Sequence, residues 1–386
     1  MLTAEGYDFV VIGAGVFGAW TAYFLRQSGA SVCLVDAYGA ANNRASSSGE
    51  TRIIRMGYGP DELYTRWSAR SLPFWQSLSK QTGVELFRKT GVLWLSNDAD
   101  RHVQDMLTVL HRCGVSAGGL SASEIAIRYP QLSFHDITGG VLEPESGILM
   151  ARRAVQLLVR EMIKEGVEYS TTAVVPPQRR SKLNRIETSD GGFISGGTYI
   201  FACGPWLPKV FPGLLDEHIH PTRQEVFFIG IPAGHREFGI GQMPVWLHHS
   251  HPERPYVLPD IENRGLKIAF DRHGPDIDPD TAMRVVSQES IALVQRYLRE
   301  HVPALRNAPI IETRVCQYEN TSNGDFLIDR HPELENVWVV GGGSGHGFKH
   351  GPAVGEYVSS SILHSASPEP RFLLATKPSV RVRSVF

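Results

Sequence analysis

The stretch "YDFVVIGAGVFGAWTAYFLRQSGASVCLVDA", residues 7–37, decides the fold. Its near-continuous apolar opening, Tyr7 to Ile12, reads as a strand buried on both faces of a parallel sheet. From Val16 apolar residues recur at helical spacing until Gly29 supplies a stop signal. "ASVCLVDA" is a second buried strand, so the segment is a strand–helix–strand unit. Gly13, Gly15 and Gly18 stand where the first strand turns into the helix. There the first glycine permits a tight turn, the second lets a pyrophosphate approach the backbone, and the third lets helix and strand pack closely. The helix N-terminus adds free N–H groups and a partial positive charge. Asp36 ends the second strand about 20 residues on, where a carboxylate accepts hydrogen bonds from ribose hydroxyls and disfavours a 2′-phosphate. Strand, turn, helix and acid together predict dinucleotide binding. They disfavour NADP and leave NAD and FAD open.

Two later segments read as further pieces of this sheet. "GGTYIFACGPW" (196–206) is a strand ending in Gly-Pro, and residues 336–365 give a strand, a glycine-rich turn and an amphipathic helix. Between them, "EVFFIGI", "VWLHH", "PYVLP" and "LKIAFD" are short alternating strands separated by Pro and Gly. One helix, expected over "DTAMRVVSQESIALVQRYLREHVP" (280–303), interrupts them. Residues 85–145 hold "GVLWLSND" and a helix up to Cys113. The expected division gives 1–84, 146–215 and 316–365 to a discontinuous nucleotide-binding domain and 85–145 with 216–315 to a substrate domain. Residues 366–386, with Arg371, Lys377, Arg381 and Arg383, form a Pro-rich tail expected as an extended, partly mobile surface wrap.

At 386 residues the chain is long enough for two or three lobes, and 42% hydrophobic with 20% charged residues describes an ordinary globular protein. The net charge of -2 and the lack of long basic runs give no footprint for nucleic acid. Arg179-Arg180 with Lys182 is expected as a solvated loop tip. No run reaches the roughly 18 apolar residues of a membrane span. No export signal and no retention or peroxisomal tripeptide is recognised, so a cytoplasmic setting is expected. The four cysteines, Cys33, Cys113, Cys203 and Cys316, form no CxxC pair, which argues against a zinc or redox-pair site. In "ETRVCQYE" (312–319) Cys316 remains open among packing residue, nucleophile and attachment point.

The segments "SSSGETRIIRMGYG" (46–59), "FRKTGVLWL" (87–95), "GLKIAFD" (265–271) and "RVCQYENTSNGDFLIDRHPELENVWVVGGGSGHGFKHGPAVGE" (314–356) resemble the monomeric sarcosine oxidase family of FAD-dependent amine oxidases. That family lies in the D-amino-acid-oxidase-like group, with N-methyltryptophan, pipecolate and fructosyl amino acid oxidases among its relatives. The resemblance runs in order from Tyr7 to about Leu363. It implies an α/β fold: a discontinuous Rossmann-like FAD-binding domain with an inserted mixed or antiparallel-sheet substrate domain.

The resemblance also implies roles. Cys316 matches the cysteine that carries FAD through a thioether, and an adjacent cation such as Arg314 is expected to lower its thiol pKa. Arg55 and Lys349 match the pair that grips the substrate carboxylate, a task suited to a planar guanidinium and an ammonium. Arg52 matches a second arginine near the flavin face. Lys267 matches the lysine over flavin N5 that activates oxygen, where a fixed cation stabilises developing superoxide. Tyr256 and Tyr318 match pocket tyrosines. In the turn 341–349, Gly343, Gly345 and Gly347 are expected to let backbone lie against the flavin edge, with the following helix aimed at the ring. His346 is read as either a flavin contact or a packed turn histidine. Two positions depart from the pattern: Asp271 and Ser48 each stand where sarcosine-type members have a histidine. Alternation puts Lys267, Ala269 and Asp271 on one face of their strand, so Asp271 is expected to look into the pocket unless it pairs with Arg272 or Arg254.

The activity implied is oxidation of a secondary, N-alkylated or cyclic amino acid. Hydride passes to flavin N5, water hydrolyses the imine, and O2 becomes H2O2. No metal is implied, and a monomer is expected. The rivals are a dehydrogenase passing electrons to a quinone or carrier protein, a non-catalytic flavin-binding subunit, and an NAD-dependent dehydrogenase.

Overall fold

A strand that is apolar on both faces needs cover on both, and the chain supplies it. In the computed structural model, which describes residues 6–178 and 181–381, Phe9 and Val11 face one buried cluster with helices Val16–Gln27, Ala151–Lys164 and Gly351–His364. Val10 and Ile12 face another with Cys33, Tyr199 and Phe201. The strand Tyr7–Ile12 sits in the middle of a seven-stranded sheet, between Phe193–Phe201 and Val32–Asp36, parallel to both. Val337–Gly341 extends it in parallel and Leu327–Arg330 closes that edge antiparallel. The glycine turn follows from close approach. Gly13 lies at φ +107° with its Cα against the Ala202 carbonyl, and a Cβ on Gly18 would collide with the Gly13 carbonyl.

An eight-stranded mixed sheet carries the second lobe, in the order Ile310–Thr321, Ile219–Ile229, Leu266–Phe270, Pro255–Leu258, Val245–His248, Val92–Ser96, Gly139–Glu143, Gly118–Ser121. The pair Val245–His248 and Val92–Ser96 is parallel and its other pairings are antiparallel. A three-stranded sheet of Arg52–Ile54, Gly147–Leu149 and Phe87–Lys89 joins the lobes. No helix among the described residues is long and apolar enough to cross a membrane.

Three expectations are corrected. The boundary at 315/316 falls inside the strand Ile310–Thr321, which pairs with Ile219–Ile229 along nearly its whole length. Cys316 and Tyr318 therefore belong to the large sheet. The helix expected over 280–303 spans Gln288–His301, capped by Ser287, whose Oγ accepts from Ser290 N–H. The apolar residues ahead of the cap have no core to enter, with Met283 77% and Val285 73% exposed.

The tail is docked rather than loose. Phe372 is fully buried against Tyr64, Trp67, Phe326 and Tyr357. Arg371 pairs with Asp61 at 2.7 Å, and the buried Lys377 ammonium donates to the Arg371 and Asp325 carbonyls. Arg381 pairs with Asp276. Arg179, Arg180 and Arg383 lie outside the described residues.

Phe372→Ala should lower the unfolding free energy by about 3–5 kcal/mol, the usual cost of emptying an aromatic site in a core. A thermal midpoint equal to the parent's would show that the tail only lies on the surface.

Candidate functional site

A groove of about 220 Å³ opens where the first two strands of the parallel sheet end, lined by Gly13, Gly15, Asp36, Ser47, Cys203 and Glu319 among others. Asp36 is oriented by backbone donors: Ala14 N–H to Oδ2 at 2.8 Å and Tyr38 N–H to Oδ1 at 2.9 Å. Burial raises its pKa, and those N–H groups oppose the rise. Gly15 contributes no side chain at the helix N-terminus, and Val16 N–H is held by Ser47 Oγ at 3.0 Å. A side-chain-free helix N-terminus beside a fixed carboxylate fits the pyrophosphate and ribose of a dinucleotide. Gly18 is not on the groove wall; it serves packing.

The turn Ser46–Ser48 divides this groove from a second cavity of about 430 Å³: Ala45, Ser46 and Ser47 line the groove, Ser48 and Gly49 the cavity. The large sheet gives the cavity Tyr256, Lys267, Asp271, Cys316 and Tyr318. The opposite wall gives it Arg52, Arg55, Gly345, His346 and Lys349. Residues far apart in sequence are thus gathered around one space.

Among the described residues, three of its buried cations, Arg55, Lys267 and Lys349, sit in no salt bridge, although Asp271 and Glu143 place opposing charge near Lys349. Arg55, Lys267 and Lys349 are each at most 7% exposed. Lys267 Nζ donates to the Thr51 carbonyl at 2.9 Å and Thr51 Oγ1 at 3.0 Å. Burial, helped by the positive charge of Arg52, pushes its pKa down to about 7. Lys349 Nζ donates to the His346 carbonyl at 3.1 Å, and burial holds its pKa well below the usual lysine range, with Arg55 adding repulsion. Arg55 donates to the Gly57 carbonyl and stacks over Tyr58 and Trp94, 4.5 and 4.7 Å from the ring centres. Tyr58 also meets Lys349, 4.9 Å from its centre, so one ring faces two cations.

On the sheet side, Asp271 and Lys267 both line the cavity, as the alternation predicts. Asp271 accepts from Tyr318 Oη at 3.4 Å, and Tyr318 is hydrogen-bonded to Tyr256. Burial raises both phenols, Tyr256 to about 12, so both are protonated donors. Arg272 pairs with Glu253 instead.

The cation beside Cys316 is not Arg314. Arg314 is engaged by Glu50 at 2.9 Å and Glu312 at 2.6 Å. Arg52 Nη2 lies 3.6 Å from Cys316 Sγ, while its other donors fix the Ser46 and Thr51 carbonyls.

The glycine-rich turn also has a different reason from the one expected. A Cβ on Gly345 would strike the Tyr318 ring, one on Gly347 the Phe17 ring, and one on Gly343 would crowd Glu319. Gly345 reaches the cavity; Gly343 and Gly347 line neither space. His346 is a packed turn histidine, with Nδ1 on Tyr58 Oη at 3.0 Å and Nε2 on the Gly324 carbonyl at 3.2 Å, though its edge borders the cavity.

Several functional neighbours went unread in the sequence. Thr51 holds Lys267, Tyr58 backs Arg55 and Lys349, and Glu143 accepts from Met56 N–H, Gly57 N–H, Trp94 Nε1 and Ser146 Oγ. Thr51 and Tyr58 flank the arginine motif, a usable signal. Glu143 sits in an unremarkable strand end and carries none.

The family described as "DAO: FAD dependent oxidoreductase" matches residues 8–361. The monomeric sarcosine oxidase of Bacillus sp. (strain B-0618) is 30% identical over 362 residues, covering 92% of each chain. The N-methyl-L-tryptophan oxidase of Yersinia pestis (strain Pestoides F) is 28% identical over 94% of this chain and 96% of that one. Among solved structures, a thermally stable mutant of fructosyl peptide oxidase superposes with a TM-score of 0.82 at 20% identity, covering 97% and 95% of the two chains.

Lys267 gives a pH signature. Its folded pKa is about 7 against roughly 10.4 when unfolded, so between those values the unfolded chain binds the extra proton and stability rises with pH. Below pH about 7 the penalty is fully present. Flavin-free Lys267→Met should therefore exceed the flavin-free parent in stability most below pH 7, with the gap closing as pH rises toward 10. A gap independent of pH would show that Lys267 stays charged in its pocket.

Proposed function

Because the chain belongs to the DAO family of FAD-dependent oxidoreductases, we propose that it oxidises a secondary amino acid, N-alkylated or cyclic, with O2 as acceptor. In balance, amine, O2 and water give a carbonyl compound, the dealkylated or ring-opened amine and H2O2. FAD, when bound, supplies the two-electron acceptor for the C–H bond next to nitrogen. The observation that carries this reading is the set of buried cations Arg55, Lys267 and Lys349, in no salt bridge among the described residues, gathered around a cavity whose wall also bears Cys316. An anion entering that space gains strong charge-assisted hydrogen bonds in a low dielectric.

Arg55 and Lys349 take the substrate carboxylate, backed by the Tyr58 ring. Lys267, aimed by Thr51, offers a fixed positive charge for oxygen reduction. Its protonated form is favoured once an anion shares the cavity. Arg52, whose Nη2 lies 3.6 Å from Cys316 Sγ, orients the sulfur that would hold the cofactor by a thioether. Cys316 Sγ would be the atom that holds the cofactor, its thiol hydrogen and one methyl hydrogen of the cofactor being given up to O2. Gly13, Gly15 and Asp36 hold the dinucleotide portion, with Ser48 and Gly345 near the ring end. Tyr256 and Tyr318 donate into the cavity, and Tyr318 turns Asp271 toward it. Asp271 then selects a substrate with a cationic or hydroxyl-rich group and repels a second carboxylate. The enzyme works in the cytoplasm and as a monomer, the monomer being consistent with the name of its Bacillus relative.

Acid-precipitated protein should keep its yellow colour, and Cys316→Ala should release flavin into the supernatant. Colour that leaves the parent on precipitation overturns the thioether.

Peroxide release should be screened over N-methyl, cyclic and glycated amino acids and their decarboxylated amines. The acids should outpace the amines, with sarcosine a poor substrate beside larger derivatives. Asp271→His should move the ranking toward small N-methyl amino acids. Amines oxidised as fast as their acids would remove the carboxylate site, and an unchanged ranking would make Asp271 structural.

A further inference from the structure

The large sheet has a second face, turned away from the cavity. Leu247 lines the cavity, while its neighbours Trp246 and His248 are buried beneath the helix Gln288–His301. There Asp136, His248 and His301 each present one ligand atom, all within 4.8 Å of one another. They come from a loop, a strand and a helix end, so no sequence spacing announces them.

The three groups converge on one point, with a ligand atom of each turned toward the others. His248 is fully buried, and its Nε2 lies 3.1 Å from Asp136 Oδ2. Its other nitrogen, Nδ1, is 3.3 Å from Tyr297 Oη. Nδ1 of His301 donates to the Ser133 carbonyl at 3.0 Å, which fixes the proton there and leaves the Nε2 lone pair free. An imidazole whose second nitrogen donates to a carbonyl or hydroxyl is the usual arrangement around a bound metal. Phe134 stacks on His301 and meets His248 edge-on, walling one side. The Asp136 side chain is 47% exposed and opens the other to solvent.

We propose that Asp136, His248 and His301 bind a divalent transition-metal ion, zinc by ligand type, with water completing the coordination. Two imidazoles and one carboxylate suit zinc and disfavour the hard oxygen-seeking cations calcium and magnesium. Bond lengths near 2.0–2.1 Å place tetrahedral donors about 3.4 Å apart. The His248–Asp136 separation of 3.1 Å is already close to that spacing, and all three donors lie within 4.8 Å of one another, so an ion requires only a small closure of the site. The ion would pin the loop ahead of Thr138 to the sheet and to the end of the helix, on the side opposite the redox chemistry. The site is independent of the proposed reaction.

The test uses full-length, flavin-loaded protein, stripped with chelator, incubated with zinc chloride and desalted. Elemental analysis should find about one zinc per chain. Thermal unfolding should move up by a few degrees with zinc, as binding to the folded state alone requires. Asp136→Asn, whose exposed side chain leaves folding intact, should lose the zinc and the thermal shift while keeping its flavin and its turnover. His301→Gln should do the same. Cobalt(II) should give visible bands at longer wavelength than the flavin without a thiolate charge-transfer band, separating this site from the cysteines. A parent that retains no zinc overturns the proposal. So does Asp136→Asn with the parent's zinc content and thermal shift.

Discussion

Arg55, Lys267 and Lys349 are buried around one cavity, and among the described residues none of them sits in a salt bridge, although Asp271 and Glu143 place opposing charge near Lys349. Removing a charge from water is costly unless other groups replace the lost solvation. Here the replacements are carbonyl oxygens of Gly57, Thr51 and His346 and the faces of Tyr58 and Trp94. These soften the penalty without cancelling the charge, and the lysines answer by giving up protons more readily. The pocket is therefore charged most easily when an anion is inside it.

Holding cations this way demands rigid backbone, which explains features distant from the cavity. Glu143 takes four donors, two of them the N–H groups of Met56 and Gly57, and so sets the backbone from which Arg55 projects. Trp75 Nε1 binds the Lys349 carbonyl at 2.9 Å and its ring stacks on Phe348. The glycines after Val337–Gly341 let this segment seat against Tyr318, Phe17 and Trp20. That packing couples the two sheets: the same close contact presses Gly345 against the Tyr318 ring and brings Lys349 to the cavity that Tyr318 helps to line.

Much of this was legible in the sequence because its causes are local. The nucleotide-binding unit follows from period and glycine spacing, which act within a few residues. Asp271 could be placed beside Lys267 because strand alternation is a local rule. What failed to show depends on tertiary contact. Arg314 is next to Cys316 in sequence, yet Glu50 and Glu312 claim it, and the distant Arg52 approaches the sulfur. The tail reads as loose because its composition is polar and Pro-rich, yet one phenylalanine and one buried lysine dock it. The density of glycines suggested room for a ligand, whereas most of that room is filled by aromatic side chains of the protein itself.

The central claim is that the cavity is built as a carboxylate receptor. Its most direct test is calorimetric titration of the flavin-loaded protein with a carboxylate that cannot be oxidised, propionate, and with its amide, in two buffers of different ionisation enthalpy. The account predicts saturable binding of propionate with net proton uptake above pH about 7, as the entering anion restores the proton to Lys267. Propionamide should bind far more weakly and take up no proton. Equal binding of acid and amide, or binding of the acid without proton uptake, would contradict it.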